Sequence, residues 1–96
     1  MKSEQEIEEY LIKRVTELGC YCVKQSPSVV SGIPDELVLT LDGRCIFVEL
    51  KTVDGKLSNA QLKTQQRLIK MHHNVFTLWS MESVDEFVKR EILYET

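Results

Sequence analysis

No apolar stretch in this chain approaches the ~20 residues that a membrane-spanning helix needs, and the N-terminus has no signal-peptide h-region. The protein is therefore expected in the cytoplasm where it is made. Cysteine is scarce: three residues, an odd number, which argues against a disulfide framework and for a reducing compartment. Neither a CxxC nor a paired Cys/His motif is present, so a zinc site is set aside. Cys20, Cys22 and Cys45 instead read as small buried hydrophobes. There are no repeats, linkers or low-complexity tracts, and 96 residues make one domain, 1–96, with a single modest core. Positive charge is also in deficit, with a net charge of −3. That looks wrong for a nucleic-acid binder until the charge is divided along the chain. Residues 51–70 hold Lys51, Lys56, Lys63, Arg67 and Lys70 against Asp54 alone. A polyanion responds to charge within a Debye length of ~8–10 Å, so a basic patch on an acidic protein is workable. A solvated helix face would explain the same cluster.

Three helix starts carry the S-x-x-E/Q capping box, in Ser3 with Glu6, Ser58 with Gln61 and Ser83 with Glu86. The first predicted helix runs from about Glu4 to Leu18, turns Ile7, Leu11, Val15 and Leu18 inward, and stops at Gly19. The second, about Asn59 to His72, buries Leu62, Leu68 and Ile69. The third, about Val84 to Leu93, buries Val84, Phe87, Val88 and Ile92. Between them lie four predicted strands, Cys20–Lys24, Glu36–Leu41, Arg44–Lys51 and Asn74–Ser80. An Asp42-Gly43 turn folds the second strand onto the third, and Phe76 and Trp79 read as strand core. His72 and His73 fall at a helix end and take no ligand role. The polar loop Gln25–Pro34 holds both prolines, Ser31 and Gly32, and reads as mobile or ligand-contacting. The order αβββαβα describes an α/β domain with a mixed, hairpin-containing sheet flanked by helices.

The chemistry concentrates in two short segments, Gly32-Ile33-Pro34-Asp35 and Glu49-Leu50-Lys51. Glu49 and Lys51 are two apart in a strand, so both side chains leave the same face. Asp35 opens the neighbouring strand after a proline that fixes φ and a glycine that permits a tight turn. A Pro-Asp turn alone is commonplace. Glu49 is harder to dismiss, because it interrupts the most apolar strand, where a carboxylate is costly unless paired or metal-bound. Lys51 as the partner in a buried ion pair is the plain structural explanation. Taken together, Asp35, Glu49 and the Leu50 backbone carbonyl supply oxygens suited to Mg²⁺ or Mn²⁺. Lys51 can orient or help deprotonate the attacking water, or stabilise charge developing on a phosphate.

The segments G-I-P-D-E-L-V-L, the D-G turn, F-V-E-L-K and G-K-L-S-N-A-Q together resemble the VRR-NUC (virus-type replication-repair nuclease) family of the PD-(D/E)XK superfamily. The similarity covers nearly the whole chain. It implies the restriction-endonuclease-like αβββαβ core in minimal form, with Asp35 and Glu49 as metal ligands and Lys51 as the catalytic lysine. Gln61 matches the family's glutamine near the active centre, but it also sits at N3 of a capping box, and one side chain is not expected to serve both ends. The resemblance further implies a metal-proximal glutamate in the first helix, with Glu4 and Glu8 as candidates and Glu4 favoured. Lys24 either meets a phosphate at the cleft or is a solvated strand end. Lys56, Lys63 and Arg67 would neutralise DNA backbone charge.

The function these features imply is Mg²⁺/Mn²⁺-dependent hydrolysis of DNA phosphodiesters. What is known of stand-alone relatives implies a homodimer cutting branched DNA such as four-way junctions, in a bacterial or phage-infected cell, with no small-molecule substrate. A flap- or duplex-directed nuclease and a catalytically idle DNA-binding or interaction module are the alternatives.

Overall fold

The computed structural model describes residues 2–26 and 29–94, so Pro27 and Ser28 of the predicted loop lie outside the described residues. Helix α1 (Glu4–Glu17) is followed by strands β1 (Tyr21–Lys24), β2 (Glu36–Leu39) and β3 (Cys45–Leu50). Helix α2 (Asn59–Lys70), strand β4 (Asn74–Leu78) and helix α3 (Met81–Phe87) complete the chain, with a π-helical turn over Val88–Ile92. The αβββαβα order is as predicted, and every element before the last helix is one or two residues shorter than expected at its ends.

The sheet order is β1-β2-β3-β4. The first three strands are antiparallel neighbours, and β4 lies parallel to β3 after the α2 crossover that a parallel pair requires. Alternation divides the side chains between two faces. Val38, Ile46, Val48, Leu50 and Leu78 pack with Ile7, Leu11 and Val15 of α1 and with Val84, Phe87 and Val88 at the C-terminal end. Phe76 meets Phe87 edge-on at 5.1 Å, so this face holds the core. The opposite face carries Glu49, its register partner Thr77, and α2. Among the described residues no helix is long and apolar enough to span a membrane.

The first two capping boxes form as expected, and Gly19 ends α1 with φ +85°. The third does not. Ser80 caps α3 and bonds reciprocally with Ser83, so the helix begins three residues before the predicted start, and Glu86 is instead paired with Arg90. Two expected core positions in α2 are wrong: Leu62 and Ile69 are 46% and 56% exposed, and the helix buries only Gln65 and Leu68. The helix rests on the sheet along a stripe narrower than its apolar content suggests. Cys20 is buried as expected, whereas Cys45 opens β3 at an exposed position and is no core residue. Trp79 is half-buried beyond the end of β4.

Candidate active site

The β2–β3 register pairs Glu36 with Val48, and one step further along the same ladder Asp35 meets Glu49. The pairing is held from both sides. The Leu50 amide donates to Asp35 Oδ2 at 3.1 Å, and the Gln25 amide donates to the Asp35 carbonyl at 2.8 Å. Glu49 is 1% exposed, and among the described residues its Oε1 has no hydrogen-bond partner. Burial raises its carboxyl to about 8, and the adjacent Asp35 carboxylate and the charge of Glu4 push in the same direction. Lys51 opposes the shift without overcoming it. Among the described residues no ion pair joins Glu49 to Lys51, so the plain structural explanation of a buried pair does not hold. A buried, near-neutral acid beside a second carboxylate is short of positive charge.

Gln61 performs the two tasks that its sequence position seemed to set in competition. Its Oε1 accepts from the Ser58 amide at 2.8 Å, closing the capping box, while its Nε2 donates to Glu49 Oε2 at 3.3 Å. The expectation of exclusivity fails because a primary amide has an acceptor end and a donor end. Helix capping thereby aims a donor at the buried carboxylate.

The GIPD loop is fastened to the same helix. Gly32 has φ +77°, and a Cβ there would lie 2.4 Å from the backbone carbonyl group of Ala60. Only glycine allows this approach without displacement. One step earlier, the Thr64 hydroxyl donates to the Ser31 carbonyl at 2.5 Å. Asp35, Glu49 and Gln61 are thus set by one rigid junction of β2, β3 and the start of α2.

On the other side of Asp35 a cleft of about 370 Å³ is lined by Glu4, Glu8, Lys24, Asp35 and Leu50 together with Gln5 and Glu9. Glu8 is engaged by Lys24 at 3.2 Å, so Lys24 lines the cleft as the partner of a carboxylate. Glu4 faces the same cleft, and its charge reaches Glu49. Lys56, Lys63 and Arg67 are exposed, the last two on the outer surface of α2 with Gln66, Ile69 and Lys70, and they do not line the cleft.

Among the described residues no three His, Cys, Asp or Glu side chains form a ready-made metal cage. The donor set nonetheless fits a hard divalent cation. Two carboxylates with a nearby backbone carbonyl match the sparse protein contribution typical of Mg²⁺ sites, where water fills the remaining positions. The unpartnered Glu49 Oε1 is the atom that such a cation would satisfy.

Sequence reasoning missed Glu36. It is fully buried on the core face, accepts from Cys22 Sγ at 3.4 Å, and among the described residues leaves Oε2 without a partner. Burial and the neighbouring Glu8 raise its carboxyl to about 7. The signal was available: consecutive acids at a strand start must point to opposite faces, so one of Asp35 and Glu36 had to turn inward.

No family model matches the chain. It is 34% identical over 79 residues to "Putative nuclease p44" of Acyrthosiphon pisum secondary endosymbiont phage 1, covering 82% of this chain and 85% of the relative. Among solved structures, one named "VRR_NUC domain" superposes with a TM-score of 0.85 at 30% identity, over 94% of this chain and 99% of the other. A second, "VRR_NUC domain protein", shares the fold at TM-score 0.75 and 14% identity, over 93% and 87% of the two chains. On its sequence relative, its fold and the positions of its GIPD and ELK segments, the chain belongs to the VRR-NUC nuclease family.

Proposed function

We propose that this nuclease is a Mg²⁺- or Mn²⁺-dependent DNA endonuclease that cuts branched DNA, four-way junctions included, as a homodimer. The observation that carries the metal dependence is the buried Glu49 carboxyl, raised to about 8 beside Asp35 and with one oxygen unsatisfied. Such a site costs stability when empty and is relieved by a divalent cation. Asp35 and Glu49 would hold the ion with the Leu50 carbonyl, and Glu4 would stand near it across the cleft. Bound there, the ion would supply Lewis acidity to the scissile phosphate and acidify a water. Gln61 fixes the Glu49 carboxylate in one orientation through its Nε2. Lys51 carries a cation to the end of β3, beside the acids, where it can take a proton from the attacking water or stabilise charge on the phosphate oxygens.

Binding would come from phosphate neutralisation by Lys56, Lys63 and Arg67, with DNA shape providing selectivity. A C2 dimer would offer one site for each of two strands, which suits paired cuts across a branch. The test is cleavage of labelled single strand, duplex, flap and four-way junction by the purified chain, each with Mg²⁺, Mn²⁺ or EDTA, with Lys51→Ala as control. Metal-dependent paired cuts on the junction that vanish in the variant are expected. Cuts confined to flaps or duplex would remove the junction assignment and keep the nuclease. Salt-sensitive binding without cleavage of any substrate would make the domain an idle binding module.

A further inference from the structure

Helix α2 brings Gln61 to Glu49, yet it has little apolar contact to hold it at one rotation. Its buried positions are Gln65 and Leu68, while Leu62 and Ile69 face outward. Apolar contact is non-directional and tolerates small rotations of a helix, whereas hydrogen bonds do not. Gln65 lies one turn beyond Gln61 on the same side of the helix. Only 9% exposed, it donates from Nε2 to Thr77 Oγ1 at 3.0 Å, and the hydroxyl lies 3.5 Å from Gln65 Oε1. Thr77 is the residue that pairs with Glu49 across the β3–β4 ladder. Two parallel rungs therefore join α2 to the sheet: Gln61 to Glu49 on β3, and Gln65 to Thr77 on the adjacent strand. A leucine at position 65 facing a valine at 77 would bury more apolar area and leave nothing to satisfy, so a buried glutamine bonded to a threonine at the centre of this packing calls for a directional role.

We propose that Gln65 is a positioning residue: its bond to Thr77 sets the rotation of α2 at which Gln61 can grip Glu49, and so sharpens divalent-cation binding at the acids. The inference rests on the reading of Asp35 and Glu49 as a metal site. Neither Gln65 nor Thr77 touches the cation or the substrate, and both act through Gln61. Outer partners of metal ligands commonly alter affinity 10–100-fold on removal. One further step away, a weakening of about 5–10-fold is expected.

The experiment is Mn²⁺ titration of the full, DNA-free chain by electron paramagnetic resonance, with thermal midpoints measured on the same samples. Gln65→Met and Thr77→Val should each weaken Mn²⁺ binding about 5–10-fold, and Thr77→Ser, which restores the hydroxyl, should return it to within about 2-fold of the parent. In a Gln61→Met background, Gln65→Met should change Mn²⁺ affinity no further, because the link through Gln61 is already cut. A Thr77→Val chain with a lower midpoint and unchanged Mn²⁺ affinity would reduce the pair to ordinary packing and overturn the inference. Full additivity with Gln61→Met would overturn it as well. A parent chain that binds no Mn²⁺ would overturn both this inference and the metal-site reading, and that outcome is separable from the first two.

Discussion

Replacing Glu49 by glutamine should stabilise the metal-free protein, and by an amount that grows with pH. The carboxyl is held near 8 in the fold against 4.5 when unperturbed. Between those values the folded state keeps a proton that the unfolded state has released. Its contribution to stability is therefore complete below about pH 4.5 and disappears as pH climbs toward 8, with a slope of at most about 1.4 kcal/mol per pH unit. Glutamine has nearly the same shape and no charge to lose. Its Oε1 can accept from Gln61 Nε2 where Glu49 Oε2 now does, and its amide can donate toward Asp35. For a chain of this size 1 kcal/mol corresponds to about 4–8 °C in midpoint. In EDTA, Glu49→Gln should outlast the parent by no more than about 3–6 °C at pH 5, where about 0.7 kcal/mol has been lost, and by several times that at pH 8. Glu36, raised to about 7, adds a slope of the same sign, but it is common to both proteins and cancels in the difference. Adding Mn²⁺ at pH 8 should raise the parent midpoint alone, since a ligand at 100 times its Kd contributes about 2.7 kcal/mol to the state that binds it. Differential scanning calorimetry across pH 5–8 reads all of this. Parallel midpoint curves for parent and variant would mean that Glu49 ionises as an ordinary surface acid, and the argument for a cation site would fall with it.

The remaining expectations are simpler. Gly32→Ala must leave the left-handed region or push the loop off α2, costing roughly 1–3 kcal/mol of stability and moving Asp35, so both midpoint and cleavage should drop; a variant with wild-type cleavage would show that the loop–helix junction does not set the site. Lys51→Ala should lower the cleavage rate by about 10²-fold or more while Mn²⁺ affinity changes little, as single-turnover kinetics and a Mn²⁺ titration can show. A loss of metal binding of the same size would move the lysine from chemistry to site assembly. Lys63→Ala with Arg67→Ala should flatten the dependence of log Kobs on log salt by roughly 0.9 for each phosphate no longer neutralised, and an unchanged slope would remove them from the DNA interface.

Much of this was legible in the chain. Ser3–Glu6 and Ser58–Gln61 announced two helix starts because capping is a local transaction between neighbours in sequence. The juxtaposition of Asp35 with Glu49 followed from alternation and a turn, which are equally local. What stayed hidden depended on choices among nearly equal partners. Two serines competed to start α3, and Ser80 prevailed by exchanging bonds with Ser83, a reciprocal pair outside the S-x-x-E/Q pattern. The exposure of Leu62 and Ile69 depends on how α2 rolls on the sheet, which is set by Gln65, Leu68 and the close approach of Gly32 rather than by hydrophobic content. Gln61's double duty required knowing where the far end of its amide lands. Glu36 was masked by Asp35, the more conspicuous acid of the pair.

The adjacency of Asp35 and Glu36 on a single strand makes the length of the β2–β3 turn a selector of chemistry. Thr40 and Arg44 close that turn by exchanging backbone and hydroxyl bonds. A change in that turn that slid β2 by a single position would carry Asp35 into the hydrophobic interior and deliver Glu36 to the site in its place. A slip of two would return each acid to its own side but take Asp35 out of line with Glu49. The β2–β3 register therefore carries a parity, imposed on a surface loop by two carboxylates that never face the same way.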